Sequence, residues 1–312
     1  MDVFSRYLGL SKRLRKVPSN PDSFDIVRFA DPHFEFRFPS GYERLRENLH
    51  DVFPRDTRAV DEYLDAVKAQ CSLLPYVNLE ADFGTLEVLK SVHGPSLKEF
   101  LDQFTENTIL KQVLSVHCLL NGVPPDEQAI VNYAHIVGPY YESVQRIQGG
   151  GGAVIKAFEA VLEDTGAEVF RGRAVTEIIF SPAGILQGVR LQDGTVMESK
   201  GCICTIHPLH LLGIVPESLF RPAYIKRLRA LKETASAFIL YGEHDPGPEI
   251  LSGSSLYLLP SGDMDMFDMH KPLEQRPFNI TSTCIQKDGS TGRGFIAICP
   301  ASIEETGPWE DS

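Results

Sequence analysis

The sequence predicts a mixed α/β (α+β) chain, on three observations. Apolar residues recur at helical spacing between Val60 and Leu114, and short strand-like runs follow one another after four consecutive glycines, Gly149 to Gly152. Between two of those runs stands Asp193-Gly194, a tight-hairpin signal because both central positions of such a turn favour positive φ. With 312 residues, 43% of them hydrophobic, the chain can bury one large core or two moderate ones.

The elements follow in order. A short basic helix is expected over 7–16, then a loop and two extended pieces, FDIVRF and FEFRFPSG. In the second piece Phe34, Phe36 and Phe38 alternate and so share one face. From Pro54 onward, Val60, Tyr63, Leu64, Val67 and Cys71 form the buried stripe of an amphipathic helix whose charged residues face solvent. Ser96-Leu97-Lys98-Glu99 is a capping box, in which the first and fourth side chains each satisfy the other residue's backbone N–H. It opens a helix expected to run to the natural stop at Asn121-Gly122. Pro124-Pro125-Asp126 begins another, ending near Gly138-Pro139. After the glycines come a helix over 153–164 and strands over 168–170, 175–180, 185–191, 195–198 and 201–206, the last reaching His207-Pro208. A basic helix over 222–232 and strands over 235–242, 255–259, 278–284 and 294–298 complete the pattern, and Asp245-Pro246-Gly247-Pro248 reads as a turn.

Composition excludes several function classes. Lys and Arg number 30 against 42 Asp and Glu, a net charge of −12, which argues against nucleic acid as a partner, because that affinity comes from clustered cations. The cysteines lack zinc-site spacing, and no secretory signal precedes them, so a reduced intracellular compartment is expected. Cys202 and Cys204 fall on one face of the expected strand, where core packing is a better reading than metal binding. No apolar run approaches the roughly 20 residues of a spanning helix, so any membrane contact is expected to be peripheral. His207 and His210 flank Pro208 and do not share a helical face, and no Ser/His/Asp order or paired carboxylates suggest acid–base chemistry.

The glycine run fails as a dinucleotide fingerprint. A G-x-G-x-x-G/A turn needs a small sixth residue that packs helix on strand, but the available registers place Val154 or Ile155 there. The preceding YYESVQRIQ is too polar for a central parallel strand. An entry to a helix is the better reading.

The block GGGGAVIKAFEAVLEDTGAEVFRGRAVTEIIFSPAGILQGVRLQDGTVMESKGCICTIHP resembles a segment of the FAD-dependent phytoene desaturase, carotenoid isomerase and retinol saturase family. The matching elements are the Gly-Gly loop before a helix, 166–169, 175–178, the hairpin Gly188-Val189-Arg190-Leu191-Gln192-Asp193-Gly194, and 204–208. FDIVRFADPHFEFRFPSGYERLRENLHDVFPRDTRAVDEYLDAVK, NGVPPDEQAIVNYAHIVGPYYESVQRIQGG and FNITSTCIQKDGSTGRGFIAI are similar to its substrate-side segments. The resemblance implies a helical and mixed-sheet substrate domain (1–148 and 216–312) and part of a Rossmann-like FAD domain (149–215). It implies FAD as cofactor and hydride exchange between flavin and a polyene or other lipophilic small molecule. By position it also implies Val175 beside the adenine end, Thr205 and His207 at a strand end approaching the cofactor, and Gly150 and Gly151 in the Gly-Gly loop. Phe34, Phe36, Tyr140 and Tyr141 are the candidates for substrate contact, with core packing as their alternative. The family's first G-x-G-x-x-G turn and its late FAD segment have no counterpart here, so the chain reads as an internal piece of such an enzyme or as a relative that has lost both ends, and independent catalysis is not expected of it. Two other readings stay open: a cofactor-free apolar-ligand or interaction module, and a piece of an amine-oxidase-like flavoenzyme.

Overall fold

A computed structural model describes residues 2–72, 94–231, 235–245, 251–262, 265–268, 270–282, 292–302 and 305. The chain forms two compact units, Met1–Val161 together with Thr234–Ser312, and Leu162–Glu233.

The first unit contains helices α1 (Asp2–Tyr7), α2 (Tyr42–Val52), α3 (Thr57–Ser72), α4 (Leu97–Leu101), α5 (Thr108–Ser115), α6 (Ile130–Glu142) and α7 (Gly150–Asp164), the last of which runs on into the second unit. Its strands are β1 (Lys16–Pro18), β2 (Asp25–Asp31), β3 (Phe34–Phe38), β4 (Gln145–Ile147), β8 (Ser236–Glu243), β9 (Ser255–Ser261), β10 (Phe278–Ser282) and β11 (Gly294–Ala301), numbered so that β5 to β7 fall in the second unit. A six-stranded sheet runs in the order β3-β2-β9-β10-β11-β8. Its β2–β9 pair is parallel and the other pairs are antiparallel.

Alternation along these strands makes the two sheet faces different. Val27, Phe29, Phe38, Tyr257 and Leu259 point to one face and join Leu45, Leu64, Val113, Tyr133 and Val137 in the main core. Ile26 and Leu256 point to the other, with Leu251 and the half-buried Ile280 and Phe295. The stripe of α3 is buried as its spacing predicts, with Val60, Tyr63, Leu64 and Val67 fully enclosed. Helices α3 and α6 pack closely because residue 138 is glycine: a Cβ there would meet Cys71 Cβ and Sγ at 2.8 Å. Tyr42 Oη donates to the Gly138 carbonyl at 3.0 Å across the same gap.

The capping box forms as expected, with Glu99 N donating to Ser96 Oγ at 3.1 Å and Ser96 N to Glu99 Oε2 at 2.8 Å. The single helix expected from it is divided into α4, α5 and a 3₁₀ turn, Val116–Leu120. Asn107 causes the break, since its Oδ1 accepts from Leu110 N at 3.2 Å and restarts the helix, while its Nδ2 donates to Asp56 Oδ2 at 2.9 Å. The helix expected from Pro124 begins instead at Ile130, because Pro124 and Pro125 occupy a turn closed by Gln128 N on Pro124 O at 2.8 Å. It continues through Pro139, which lies in the last turn and so removes little of the bonding ladder. The basic helix expected over 7–16 is displaced: α1 stops at Tyr7, the chain turns at Gly9 with φ 72°, and Lys16–Pro18 pairs with Gln145–Ile147. Helix α2 had no counterpart among the expected elements.

The second unit holds a three-stranded antiparallel sheet of β5 (Val175–Phe180), β6 (Leu186–Leu191) and β7 (Val196–Glu198), with α8 (Pro208–Ile214) beside β5 and α9 (Pro222–Arg229) beside α8. The hairpin lies where Asp193-Gly194 puts it: Gly194 has φ 85°, and Asp193 Oδ1 accepts from Thr195 N at 2.9 Å. Two expected strands are absent, since 168–170 and 201–206 carry no regular secondary structure, are exposed and lie outside the described sheets. Apolar content alone does not make a strand where no neighbouring strand supplies a ladder. Helix α9 ends at Arg229 and β10 at Ser282, while Cys284 and the turn residues Pro246 to Pro248 lie outside the described residues.

Candidate functional site

In the first unit, the helix-covered sheet face is less enclosed toward β10, β11 and β8. Tyr257 pairs with Asn279, Asn279 with Ile298 and Ile298 with Ile239, so these four residues form one row across the sheet on that face. Together with Leu119, Leu120 and Asn121 of the 3₁₀ turn and its end, the row lines a cleft of about 370 Å³. Its mouth is apolar, with Leu120 48% and Ile239 45% exposed. Asn121 Nδ2 donates to Gln128 Oε1 at 2.7 Å, but Asn121 Oδ1 is buried without a partner. Asn279 Nδ2 is also buried and unpartnered.

Behind the row lies a buried polar network. His117 Nε2 meets Asp25 Oδ2 at 2.9 Å, with both side chains fully buried, and Asp25 Oδ1 has no hydrogen-bond partner. His117 Nδ1 is 3.5 Å from Tyr141 Oη, which is 2.9 Å from Tyr63 Oη. Tyr63 and Tyr133 both donate to the Leu114 carbonyl, at 3.2 and 2.7 Å. The Tyr257 ring stands edge-on to His117 with centroids 5.7 Å apart, which connects the network to the cleft wall. Burial pushes the phenols of Tyr63, Tyr133, Tyr141 and Tyr257 above their ordinary range, so all four are neutral hydrogen-bonding groups at physiological pH. Tyr140 is raised as well, first by burial and then by the Asp25 charge. Arg146 Nη2 donates to the Ser254 carbonyl at 2.9 Å and Arg146 Nη1 to Ser282 Oγ, which fastens β4 to the sheet.

In the second unit Val175 opens β5, an edge strand of its sheet, and its side chain is 40% exposed. Thr205 and His207 lie in an exposed segment, Ile203 there being 94% exposed. His207 is also the N-cap of α8, its Nδ1 accepting from Leu209 N at 3.3 Å, a structural role that its sequence context did not suggest. Gly150 and Gly151 belong to the first unit, at the start of the 15-residue α7. Gly149 and Gly150 have φ of 81° and 59°, and a Cβ at Gly151 or Gly152 would meet nothing within 4 Å.

Taken unit by unit, each has one feature compatible with part of a flavin adenine dinucleotide. The outer edge of β5 at Val175 carries no strand among the described residues, so its backbone is open to the donors and acceptors of a purine. The start of α7 leaves room for a close approach to backbone N–H groups.

Of the four aromatic candidates, Phe36 and Tyr141 are buried in the first unit's core, and Phe34 and Tyr140 are half-buried against it. None of the four lines the cleft. Asn121, Asn279 and Tyr257 were not singled out in the sequence, because Asn279 and Tyr257 are joined by strand pairing and Asn121 comes from the end of a 3₁₀ turn, which leaves no local pattern. Among the described residues no cluster of His, Cys, Asp and Glu could hold a metal ion, and no helix is long and apolar enough to cross a membrane.

Comparison with known proteins follows the same lines. The chain is 26% identical over 194 residues to a mouse pyridine nucleotide-disulfide oxidoreductase domain-containing protein 2, covering 59% of this chain and 33% of that one. It is 23% identical over 239 residues to rat all-trans-retinol 13,14-reductase, covering 70% of this chain and 39% of the reductase. It therefore spans well under half the length of these relatives. An oxidoreductase from Methanosarcina mazei shares the fold with a TM-score of 0.67 at 15% identity, over 99% of this chain and 66% of that structure. Such neighbours have the Rossmann-like fold of FAD-dependent oxidoreductases, and a flavin is the cofactor of the family. Residues 3–256 match the flavin containing amine oxidoreductase family, and the chain belongs to it.

Proposed function

We propose that the chain supplies the substrate-side sheet and part of the flavin-binding segment of an FAD-dependent oxidoreductase that acts on a polyene or other lipophilic small molecule. The observation that carries this reading is the cleft with an apolar mouth on the first unit's sheet, taken with relatives that include a retinol reductase. Residues 149–215 form the flavin-binding portion, with Val175 beside the adenine, Thr205 and His207 toward the cofactor, and Gly150 and Gly151 at a helix start. Residues 1–148 and 216–312 form the substrate side. When bound, flavin supplies hydride transfer. The protein's own contribution is to hold the lipophilic substrate on the sheet, orient it and exclude water. Phe34, Phe36, Tyr140 and Tyr141 act from behind, by stiffening the core on which the cleft rests.

The exposed apolar stripe of α7, with Ile155 58%, Phe158 40% and Leu162 38% exposed, supports packing against further parts of a longer flavin-binding domain. Lys226, Arg227 and Arg229 of α9, near the exposed Leu219 and Leu231, form the surface for peripheral contact with a membrane that delivers the substrate. A second reading, amine oxidation, is favoured by the family match itself.

The test uses the full natural protein, purified and analysed for bound flavin by absorbance and mass spectrometry, then mixed anaerobically with a retinoid or with an amine. Flavin reduced by the amine alone transfers the assignment to amine oxidation. Absence of flavin overturns the oxidoreductase reading and leaves an apolar-ligand module.

A further inference from the structure

Cys202 and Cys204, expected to pack in a core strand, stand in the open. Both are free thiols on a segment of the second unit in which every residue from Gly201 to Pro208 is exposed. The remaining described cysteines differ: Cys118 and Cys299 are buried, Cys71 is half-buried, and burial pushes all three thiols up. Thiol exchange needs an accessible thiolate. Among the described cysteines that condition favours the exposed pair.

Their spacing keeps the two sulfurs within reach of each other. Two residues along a chain span at most about 6.6–7.2 Å between Cα atoms, and a disulfide joins Cα atoms about 4.4–6.8 Å apart. A small bend at Ile203 is therefore enough. Among the described residues, Cys202 to Ile206 take part in no hydrogen bond and no strand pair, so the backbone is free to bend. The segment is held only at its ends. Ser199 N donates to the Gln187 carbonyl at 3.1 Å and Gly201 N to Ser199 Oγ at 3.2 Å, while His207 Nδ1 accepts from Leu209 N at 3.3 Å. Joining the two sulfurs breaks none of these bonds and uncovers no core.

We propose that Cys202 and Cys204 form a reversible thiol–disulfide site, closed by exchange with a low-molecular-weight disulfide. One cysteine thiolate attacks a sulfur of the small disulfide, whose S–S bond breaks and releases one small thiolate. The second cysteine thiolate then attacks the protein sulfur of that mixed disulfide, forms the Cys202–Cys204 bond and releases the other small thiolate. The two protein thiols are oxidised, the small disulfide is reduced to two thiols, and the two protons end on those thiols. A ring this small is strained, and its exposure leaves it open to attack, so the bond is readily reduced again.

The full natural protein is incubated with excess glutathione disulfide, its remaining thiols are blocked with N-ethylmaleimide in denaturant, and the tryptic peptide that begins at Gly201 is weighed. That peptide is expected to carry neither maleimide nor glutathione and to be lighter than the dithiol form by two hydrogen atoms. Cys71, Cys118 and Cys299 are expected to carry maleimide, and dithiothreitol is expected to restore labelling of Cys202 and Cys204. In Cys202→Ser the glutathione adduct on Cys204 should be about tenfold more abundant than in the unaltered protein, because no neighbouring thiol displaces it. Full maleimide labelling of the unaltered peptide, two glutathione adducts on it, a disulfide to another chain, or equal adduct levels in variant and unaltered protein overturns the inference. The inference goes beyond the proposed function and does not rest on it. A flavin-loaded protein that forms no ring rejects this inference alone, and a flavin-free protein that forms it rejects only the oxidoreductase reading.

Discussion

Removing the histidine from the buried Asp25–His117 pair is the sharpest test of the first unit's core. In His117→Leu the Asp25 carboxylate stays behind the sheet, fully buried, having lost its 2.9 Å contact to Nε2. Its other oxygen already has no hydrogen-bond partner, so the charge is left with the neighbouring Tyr140 and the coulombic pull of the Arg146 guanidinium. Removing one partner of a buried pair in this way costs up to about 3–5 kcal/mol. With a urea m-value of about 3 kcal/mol/M, the midpoint falls by about 1–2 M. Near-ultraviolet circular dichroism suits the assay, because Tyr63, Tyr133, Tyr141 and Tyr257 surround the pair and are fully buried. Replacing both partners, with Asp25→Val and His117→Leu together, removes the charge and its need for a partner. The double variant should therefore lose less than His117→Leu alone. A single variant that loses under about 1 kcal/mol, or a double variant that loses the sum of the two singles, would refute this account of the network.

Two further predictions concern packing and charge. Gly138→Ala forces a methyl against Cys71 at 2.8 Å and should lower stability by about 1–3 kcal/mol in thermal melts. Cys71→Ala should restore only part of that, because the Cys71 Cβ itself makes the clash. Glu305 is held down to about 2 by the Arg276 guanidinium, with further help from the Ser302 N–H. A carboxylate depressed in the folded state stabilises above its unfolded pKa, near 4.5, and that contribution is lost as pH falls toward 2. Melting temperatures of the natural protein and Glu305→Gln should therefore differ at pH 6 and converge near pH 2. A gap that widens on acidification would contradict the assignment.

What the sequence displayed were the features set by neighbours along the chain. The α3 stripe, the Ser96–Glu99 capping box and the Asp193-Gly194 hairpin each depend on residues a few positions apart, and each is present. The glycine run opens a helix, as its failed fingerprint register implied. Misplaced elements were those decided by competition. Asn107 outbids helix continuation by capping a new start, and Pro124-Pro125 holds a turn where a helix start was expected. Segments 168–170 and 201–206 have strand-like composition but no described strand to pair with. The family was legible because its hairpin block joins residue type to spacing. The cleft was not, since its lining comes from the end of a 3₁₀ turn and from strands far apart in sequence, and the Asp25–His117 pair spans 92 positions.

The parallel β2–β9 pair has a consequence for biosynthesis. Ser23 and Ser254, at the root of that pair, touch across 231 positions, and the whole second unit lies in between. During translation, β2 and β3 leave the ribosome long before their central neighbour exists. Until then one side of β2, with Ile26, Val27 and Phe29, is an unpaired ribbon. Closing so long a loop is slow, so completion of this sheet waits for the last quarter of the chain. A nascent chain halted after the second unit would expose an adhesive edge of the kind that chaperones recognise.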